Sequence, residues 1–357
     1  MARTALITGI TGQDGAYLCR SLLDKAYRVF GTFRRGASLN FWRLSALGVT
    51  EDDIDLIPLE LLEYANVRRA IETAQPDEIY NLAAQSFVGI SFEQPLFTTD
   101  VNAVGVTRML EAIREVNPTI KFYQASTSEM FGKVQEVPQS EATRFYPRSP
   151  YAVSKLYAHW ITVNYRESYG LHACCGILFN HESPLRGMEF VTRKITSGLA
   201  RIRAGNQDVV ELGNLHSKRD WGFAGDYVEG MQLMLQQPEP DDYVLATGQT
   251  ASVLSFCELA AAALDFRLEW EGEGERTRGI DRRSGKTIIR VNPKFYRAAE
   301  VDLLIGDATK ARNKLGWSAG TTLPALVEMM VDADLRRARA NETLLREPAA
   351  SEHARAW

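Results

Sequence analysis

The sequence has few cysteines, few histidines and no excess of basic residues. Its 357 residues include four cysteines and five histidines, and 41 Lys and Arg are set against 45 Asp and Glu. A nucleic-acid-binding surface would need a basic excess, so we expect no nucleic-acid partner. The cysteines lack metal-ligand spacing, and we expect no metal site and four reduced packing residues, namely Cys19, Cys174, Cys175 and Cys257.

Long apolar runs are also missing. No run approaches the roughly 18 residues that a membrane span needs, and the apolar stretch near Met1 is too short for a signal peptide. We therefore expect a cytoplasmic protein with no membrane partner. Because 45% of the residues are apolar and 24% are charged, the chain can bury a large core in one large or two unequal domains.

The first motif present is a glycine turn between a strand and a helix. Thr4 to Thr8 is a buried-strand candidate, and a helix is predicted from Ala16 to Lys25. Between them, Gly9, Gly12 and Gly15 form G-x-x-G-x-x-G, which is slightly wider than the common dinucleotide fingerprint. The alternative is a purely structural turn. The order of strand, turn and helix favours a dinucleotide site, because the pyrophosphate would face the helix N-terminus.

The second strand candidate indicates which dinucleotide would bind. Arg28 to Phe33 is followed by Arg34 and Arg35 and not by the acidic residue that would hold a ribose 2′-hydroxyl. Guanidinium groups suit a 2′-phosphate, so we predict NADP as the cofactor. A solvated basic turn is the alternative.

Strand-like and helix-like segments then alternate, which predicts an α/β fold with a Rossmann-type doubly wound parallel sheet and a smaller, mixed α/β C-terminal region. The predicted segments are strands Asp55 to Leu59, Glu78 to Leu82, Ile120 to Ala125 and Ala173 to Phe179, and helices Tyr64 to Ala74, Val104 to Val116, Tyr151 to Tyr169 and Leu323 to Ala338. We expect a cofactor domain over 1–185, to which later segments return, a substrate domain over 186–341 and a flexible tail over 342–357. Residues 271–285 are predicted to form a mobile polar loop.

The chemistry-bearing stretch follows the strand at Ile120 to Ala125. Thr127 and Glu129 stand where that strand should end, which is where open α/β sheets bind ligands. Tyr151 and Lys155 are four residues apart and share one face of the next helix. A nearby ammonium favours the phenolate, so this pair can exchange protons near neutral pH. A Y-x-x-x-K spacing alone also occurs by chance.

Polar and basic residues after position 179 are candidates for contacts to a ligand, and each group has an alternative interpretation. The loop from Asn180 to Pro184 contains His181, but no second histidine follows at helical spacing, so we expect polar contacts and no metal. Scattered basic residues beyond it suit either a solvated face or the phosphates of a nucleotide-linked substrate: Arg186, Arg193, Lys194, Lys218, Arg219 and Arg297.

With these motifs in one chain, the sequence resembles the extended short-chain dehydrogenases/reductases and, within them, the GDP-mannose 4,6-dehydratases. The resemblance rests on segments 9–15, 81–86, 122–129, 145–151, 176–184, 190–194 and 218–222 and extends from residue 4 to about 340. Its most family-specific parts are Asn180 to Pro184 and Arg219 to Trp221.

The resemblance implies roles for individual residues. It implies that Thr127, Glu129, Tyr151 and Lys155 are catalytic. Cofactor contacts are implied for Gly9, Gly12, Gln13, Asp14, Gly15, Arg34, Arg35, Glu60, Leu61, Leu82, Ala83, Ala84, Gln85, Ser86, Phe97, Tyr151, Lys155, His181 and Arg186. Contacts to GDP-mannose are implied for Ser86, Glu129, Asn180, Phe190, Val191, Lys194, Arg219, Arg297 and Glu300. A homodimer or homotetramer is implied, with the Arg34-Arg35 loop near a neighbouring subunit.

The implied activity is that of an NADP-dependent lyase, which converts GDP-mannose to a 4-keto-6-deoxy sugar by oxidation at C4, loss of water across C5 and C6, and return of the hydride to C6. Two departures stand out: Leu59-Glu60-Leu61 replaces the usual Gly-Asp-Leu, and Leu185 stands where many relatives have Arg. The alternatives are a dehydratase for a GDP-heptose or a dTDP- or CDP-hexose, a 4-reductase, or a catalytically silent NADP-binding regulator. Glu129 argues against the reductase, which needs no base at C5.

Overall fold

The structure is a computed structural model, and the residues that it describes are 2–36, 40–295 and 303–340. The strands are β1 (Thr4–Thr8), β2 (Arg28–Phe33), β3 (Asp55–Pro58), β4 (Glu78–Asn81), β5 (Lys121–Thr127), β6 (Ala173–Leu178), β7 (Asn180–Glu182), β8 (Val210–Leu212), β9 (Lys218–Arg219), β10 (Trp221–Phe223), β11 (Tyr243–Leu245), β12 (Ala251–Ser252), β13 (Leu268–Glu271), β14 (Arg278–Asp281) and β15 (Lys286–Val291).

The α-helices are α1 (Gln13–Asp24), α2 (Trp42–Ala46), α3 (Tyr64–Ala74), α4 (Val88–Glu93), α5 (Pro95–Thr99), α6 (Gly105–Val116), α7 (Pro150–Tyr169), α8 (Val191–Arg203), α9 (Ala224–Gln236), α10 (Val253–Ala263), α11 (Thr309–Leu315) and α12 (Leu323–Arg339). A π-helix over Asp100–Val104 precedes α6, and 3₁₀ turns lie at Ser128–Met130, Gly274–Arg276 and Pro293–Phe295. None of the helices in the described ranges is long and apolar enough to cross a membrane. The expected cytoplasmic location stays a prediction.

The chain forms two compact units. The first contains Met1–Phe179, Ala224–Gly248 and Ile305–Ala319, and the second contains Asn180–Phe223, Gln249–Leu304 and Gly320–Trp357. The assignment of cofactor and substrate binding to domains that meet near residue 185 stays a prediction.

The first unit is built on a seven-stranded sheet with the order β11-β6-β5-β4-β1-β2-β3. All six pairings in it are parallel, which confirms the predicted doubly wound sheet. Helices cover both faces, so the central strands are largely buried; all six residues of β6 are buried. Adjacent Cys174 and Cys175 on β6 are free thiols and, like the other two cysteines, are buried packing residues, as expected.

The second unit has its own core. A four-stranded sheet with the order β13-β14-β15-β8 is accompanied by the two-stranded pairs β10-β7 and β12-β9. Leu199 of α8, Phe256 of α10 and Met330 of α12 are fully buried in one apolar cluster. The same cluster includes Val210 of β8 and Ile289 of β15, so the helices and the sheet of this unit share one core.

The prediction of a mobile loop over 271–285 is wrong. Its central part is β14, which pairs with β13 and β15. The buried carboxylate of Asp281 accepts hydrogen bonds from the backbone N–H groups of Arg267 and Ser284 and from the Ser284 hydroxyl. These bonds close the turn to β15, where Gly285 has a positive φ of 69°. The strand pairing and the hydrogen bonds of buried Asp281 therefore hold this polar, charged segment in a hairpin.

Other predicted boundaries also move, and helix α1 begins at Gln13 and not at Ala16. The stretch Asn180–Glu182, predicted to be a loop, is strand β7 and pairs in parallel with β10. Helix α7 starts at Pro150, one residue earlier than predicted, because Ser149 caps it by accepting a hydrogen bond from Ala152 N–H. Proline fits the first helical position, where no backbone N–H is needed.

Candidate active site

Most of the predicted cofactor residues of the first unit follow the carboxyl ends of neighbouring parallel strands. The glycine turn follows β1, the arginine pair follows β2, Glu60 and Leu61 follow β3, and residues 82–86 follow β4. Since β1 and β4 are adjacent and their connections leave in opposite directions, this edge has the switch point at which such sheets bind nucleotides. Leu61 itself lies in the apolar core, so only its backbone is available there.

The glycine turn is shaped by close backbone approach. A Cβ on Gly15 would lie 2.5 Å from the Gly9 carbonyl oxygen, and one on Gly9 would lie 2.9 Å from Ala83 Cα. Gly9 also has a positive φ of 71°. Gly12 differs, since its Cβ would meet only the Gly9 carbonyl at 3.2 Å and the residue is exposed. The turn is therefore packed on its inner side and open at Gly12, the residue before α1.

Alanine substitutions should separate these two sides of the turn. Gly15→Ala should lower the free energy of unfolding of the ligand-free protein by about 1–3 kcal/mol, because its methyl group meets fixed backbone atoms. Gly12→Ala should lower that free energy by less than Gly15→Ala does, because its methyl group would meet only the Gly9 carbonyl at 3.2 Å, and it should weaken dinucleotide binding, since that methyl group projects at the open side. Urea unfolding and calorimetric titration with NADP⁺ measure the two effects. Equal loss of stability in both variants would contradict this assignment.

Two residues that the sequence reasoning missed hold the segment after β4. The Thr8 hydroxyl donates to Asn81 Oδ1 at 2.7 Å and accepts from the backbone N–H groups of Leu82 and Ala83, each at 3.0 Å. Buried Asn102 bonds to both the N–H (2.8 Å) and the carbonyl (2.9 Å) of Gln85. Asn102 lies in the π-helix, a feature often found at functional sites. These bonds fix the backbone of residues 82–85.

The arginines after β2 are exposed, as a phosphate-binding role requires. The Arg34 guanidinium lies 6.0 Å from the ring centroid of Phe97, another predicted cofactor residue. Sequence reasoning missed Arg43 on α2, which donates to the Thr11 carbonyl of the glycine turn at 3.2 Å. Through this hydrogen bond, Arg43 helps to hold the glycine turn in place.

Thr127 and Glu129 lie at the end of β5, where they were predicted. Thr127 is the last residue of the strand, and its hydroxyl accepts a hydrogen bond from Glu129 N–H at 3.3 Å. This bond caps the 3₁₀ turn over Ser128–Met130. Thr127 is buried, and Glu129 is half-buried. The turn thus presents a hydroxyl and a carboxylate two residues apart.

Helix α7 packs on β5 and brings Tyr151 and Lys155 to the same strand end. Both side chains are buried, and the Lys155 ammonium donates to the Ala125 carbonyl of β5 at 2.9 Å. Burial lowers the pKa of Lys155 to about 8, and the nearby Asp14 carboxylate opposes this shift. A partly deprotonated lysine one turn from the phenol can relay protons near neutral pH.

The buried lysine should make stability depend on pH. Below about pH 8, Lys155 is protonated in the folded and the unfolded chain, and burial of its charge lowers the free energy of unfolding. Between about pH 8 and 10.5, Lys155 is protonated only in the unfolded chain, so this cost is removed as the pH rises. The free energy of unfolding of the wild type, relative to Lys155→Met, should therefore rise by about 3 kcal/mol across that range. Denaturant titrations of the ligand-free proteins at several pH values measure this difference. Lys133→Met, at an exposed position, is the control. If the difference between the wild type and Lys155→Met changed with pH no more than the difference between the wild type and Lys133→Met, the assignment would be refuted.

The same helix contributes a residue that the sequence reasoning did not single out. His159, one turn beyond Lys155, is buried, and its Nδ1 lies 3.2 Å from the Ser126 hydroxyl of β5. Burial lowers the pKa of His159, the Asp242 carboxylate opposes this, and the Arg166 charge adds to it. We interpret His159 as an uncharged side chain whose contact with Ser126 holds α7 on β5, one helical turn beyond Lys155.

Of the predicted substrate residues that the structure describes, Ser86 and Glu129 lie in the first unit and the others lie in the second. Strand β7 contains Asn180 and His181, and α8 begins at Val191, directly after Phe190. The Lys194 ammonium lies 3.5 Å from the ring centroid of Phe295, and burial lowers the pKa of this lysine, with Glu211 opposing the shift. Arg219 on β9 is buried. Arg297 and Glu300 lie outside the described residues.

One basic residue differs from its predicted position. Arg193, expected either on a solvated face or near substrate phosphates, is fully buried and paired with Asp334 of α12 at 2.8 Å. A charge in that position binds no ligand phosphate, because its hydrogen-bonding groups face the interior. Across the described ranges, no three His, Cys, Asp or Glu side chains come together in a way that could hold a metal ion.

Known proteins resemble the chain over nearly its full length. A family model described as GDP-mannose 4,6 dehydratase matches residues 6–330. A GDP-mannose 4,6-dehydratase of Sinorhizobium fredii is 53% identical over 339 residues, which are 93% of this chain and 97% of that protein.

Solved structures have the same fold at low sequence identity. A dTDP-glucose 4,6-dehydratase of Bacillus anthracis in complex with NAD superimposes with a TM-score of 0.76 at 20% identity, covering 93% of this chain and 96% of that one. RMD from Pseudomonas aeruginosa complexed with NADPH gives 0.74 at 21% identity, covering 94% and 100%. From the family model and the relative at 53% identity, this chain belongs to the GDP-mannose 4,6-dehydratase family.

Proposed function

We propose that the protein is a GDP-mannose 4,6-dehydratase, which converts GDP-mannose to the 4-keto-6-deoxy sugar and water. The observation that carries the proposal is the arrangement at the end of β5, where Thr127 and Glu129 share one turn and Lys155 bonds to the strand from α7. A dehydrogenase needs only the hydroxyl, the phenol and the lysine. The added carboxylate supplies a base for removal of the C5 proton, which dehydration requires.

The glycine turn fits a dinucleotide. Its inner side leaves no room for a Cβ at Gly9 or Gly15, and its open side precedes the N-terminus of α1, which favours anions. We assign the pyrophosphate to this turn and the adenosine 2′-phosphate to Arg34 and Arg35, so NADP is the proposed cofactor. When bound, the cofactor would take the hydride from sugar C4 and return it to C6.

In the first step, Tyr151 as phenolate accepts the proton of the sugar 4-hydroxyl. Lys155 stabilises that phenolate by its charge, and Thr127 donates a hydrogen bond to the 4-oxygen as it becomes a carbonyl. The buried setting of all three side chains strengthens these interactions, because little water competes for them.

In the second step, Glu129 removes the proton from C5. Oxidation at C4 makes this proton acidic, because the carbanion left behind is an enolate. The protonated Glu129 then gives its proton to the departing 6-hydroxyl, which leaves as water. In the last step, Tyr151 gives the proton that it took from the 4-hydroxyl to C5, so that Tyr151 and Glu129 both return to their starting protonation states.

The proposal is tested by incubating the protein with GDP-mannose and a trace of NADP⁺. We expect the nucleotide sugar to lose the mass of one water without stoichiometric consumption of the cofactor. Mass spectrometry of the nucleotide sugar and absorbance of reduced nicotinamide give both quantities. No mass loss, or reduction that consumes NADPH, would refute the proposal. Conversion of a dTDP- or CDP-hexose in place of GDP-mannose would refute the substrate assignment only.

The cofactor preference has its own test. Arg34→Ala and Arg35→Ala should each weaken NADP⁺ binding by about tenfold, the value of one charge-assisted contact, and leave NAD⁺ binding nearly unchanged. Arg28→Ala, a substitution at an exposed arginine at the other end of β2, is the matched control. Equal weakening for both dinucleotides would show that the pair is not a 2′-phosphate site.

We also propose that the protein is a homodimer or homotetramer, with the Arg34-Arg35 loop near a neighbouring subunit. Support comes from an exposed apolar stripe on α7, where Val153, Tyr157 and Trp160 are 54%, 45% and 54% exposed. Their spacing places them on one face of the helix, and such faces are typical of subunit contacts. Analytical ultracentrifugation of the wild type and of Trp160→Glu tests this, and a monomeric wild type would refute it.

A further inference from the structure

The buried pair of Arg193 and Asp334 holds the loop that contains Arg186. Arg193 on α8 donates from Nε to Asp334 Oδ2 at 3.1 Å and from Nη2 to Oδ1 at 2.8 Å. Its remaining nitrogen, Nη1, donates to the carbonyls of Pro184 and Arg186, each at 2.7 Å. One buried side chain therefore binds the two carbonyls on either side of Leu185.

Asp334 keeps the arginine in this position. Its carboxylate is 1% exposed and also accepts hydrogen bonds from the Thr196 hydroxyl at 2.7 Å and from Arg337 Nη1 at 3.0 Å. A fully buried guanidinium is tolerated only when a carboxylate neutralises it and its donors are bonded. Since Asp334 lies on α12, this last helix fixes a backbone segment about 150 residues earlier in the chain.

The side chain of Arg186 is held as well. Its guanidinium carbon lies 3.5 Å from the ring centroid of Phe190, and its Nε lies 3.1 Å from Glu182 Oε2. The same Glu182 oxygen accepts a hydrogen bond from the Thr192 hydroxyl at 2.6 Å. Both the backbone and the side chain of Arg186 are therefore oriented before any ligand binds, which reduces the entropic cost of binding an anion.

We propose that Asp334 and Arg193 are positioning residues, which orient Arg186 for a phosphate-bearing ligand without touching that ligand. The proposal rests on the proposed function only for the identity of the ligand, a nicotinamide dinucleotide phosphate or a guanosine diphosphate. The alternative is that the buried pair stabilises the second unit and does nothing for binding. These two roles differ in whether the effect of Asp334 depends on Arg186.

A double-mutant cycle distinguishes them. Dissociation constants for NADP⁺ and for GDP are measured by calorimetry on the wild type, Arg186→Ala, Asp334→Asn and the double variant. We expect Arg186→Ala to weaken at least one ligand, Asp334→Asn to weaken the same ligand by about tenfold, and Asp334→Asn to add less than about twofold in the Arg186→Ala background. Asp332→Asn, on an exposed face of the same helix, is the control and should bind as the wild type does.

A second variant covers the case in which Asp334→Asn does not fold. Arg193→Met with Asp334→Leu removes both buried charges, a change that cores often tolerate, yet it leaves the two loop carbonyls without their donor. We expect it to fold and to bind the same ligand about tenfold more weakly.

Three results would overturn the proposal. They are wild-type affinity in a folded variant of the pair, an equal effect of Asp334→Asn with and without Arg186, and no effect of Arg186→Ala on either ligand. The readout is binding, so a protein that binds both ligands but does not dehydrate GDP-mannose would refute the proposed function and leave this test intact.

Discussion

The Glu129→Gln variant is expected to oxidise the sugar at C4 and then to stop without releasing water. The amide has nearly the same shape as the carboxylate but cannot accept the C5 proton, whereas Thr127, Tyr151 and Lys155 remain in place. Turnover should fall by at least about 10²-fold, the usual contribution of a positioned general base. Because the first step survives, reduced nicotinamide should accumulate up to one equivalent per site.

Two measurements follow these steps separately. Stopped-flow absorbance reports reduced nicotinamide, and mass spectrometry in deuterated water reports loss of water and exchange of the C5 hydrogen. Glu167→Gln, the same substitution at an exposed position on α7, is the control and should turn over as the wild type does. Dehydration by Glu129→Gln at the wild-type rate would show that Glu129 only helps to shape the turn after β5.

The Tyr151→Phe variant is expected to fail one step earlier. Loss of the phenol removes the group that accepts the 4-hydroxyl proton, while the ring still fills its buried position on α7. We expect turnover to fall by about 10²- to 10⁴-fold and no reduced nicotinamide to accumulate. Binding of NADP⁺ should change by less than about threefold, since a single hydroxyl contact is lost.

The contrast between the two variants is the decisive result. Accumulation of reduced nicotinamide in Glu129→Gln and its absence in Tyr151→Phe would order the two residues along the reaction. Tyr169→Phe, at an exposed position on the last turn of the same helix, is the control for the second variant. If Tyr151→Phe still oxidised C4 rapidly, another group would have to be the base, and Lys155, with a pKa of about 8, would be the first candidate.

Much of the fold and the placement of the four catalytic candidates followed from local sequence signals, whereas most of the cofactor and substrate residues were implied by the family resemblance. The glycine turn sits between β1 and α1, and α3 has the predicted bounds Tyr64–Ala74, because turn chemistry and apolar periodicity act over a few residues. Tyr151 and Lys155 share a face of α7 because their spacing equals one helical turn. Thr127 and Glu129 were placed at a strand end by the apolar run before them. For such features, the sequence by itself determined the position.

Only the tertiary structure decided where residues without a local signal belong. The sequence predicts either a solvated face or a phosphate contact for Arg193, but its partner Asp334, 141 residues away on another helix, places it in the interior. Thr8 and Asn102 have ordinary neighbours in sequence, yet they fix the segment after β4 through bonds that span 74 and 17 residues. The lowered pKa of Lys155 likewise depends on burial against β5. Burial and pairing are properties of packed elements, because dielectric environment and hydrogen-bond partners are set only when distant segments meet, and a linear sequence specifies them only through the completed fold.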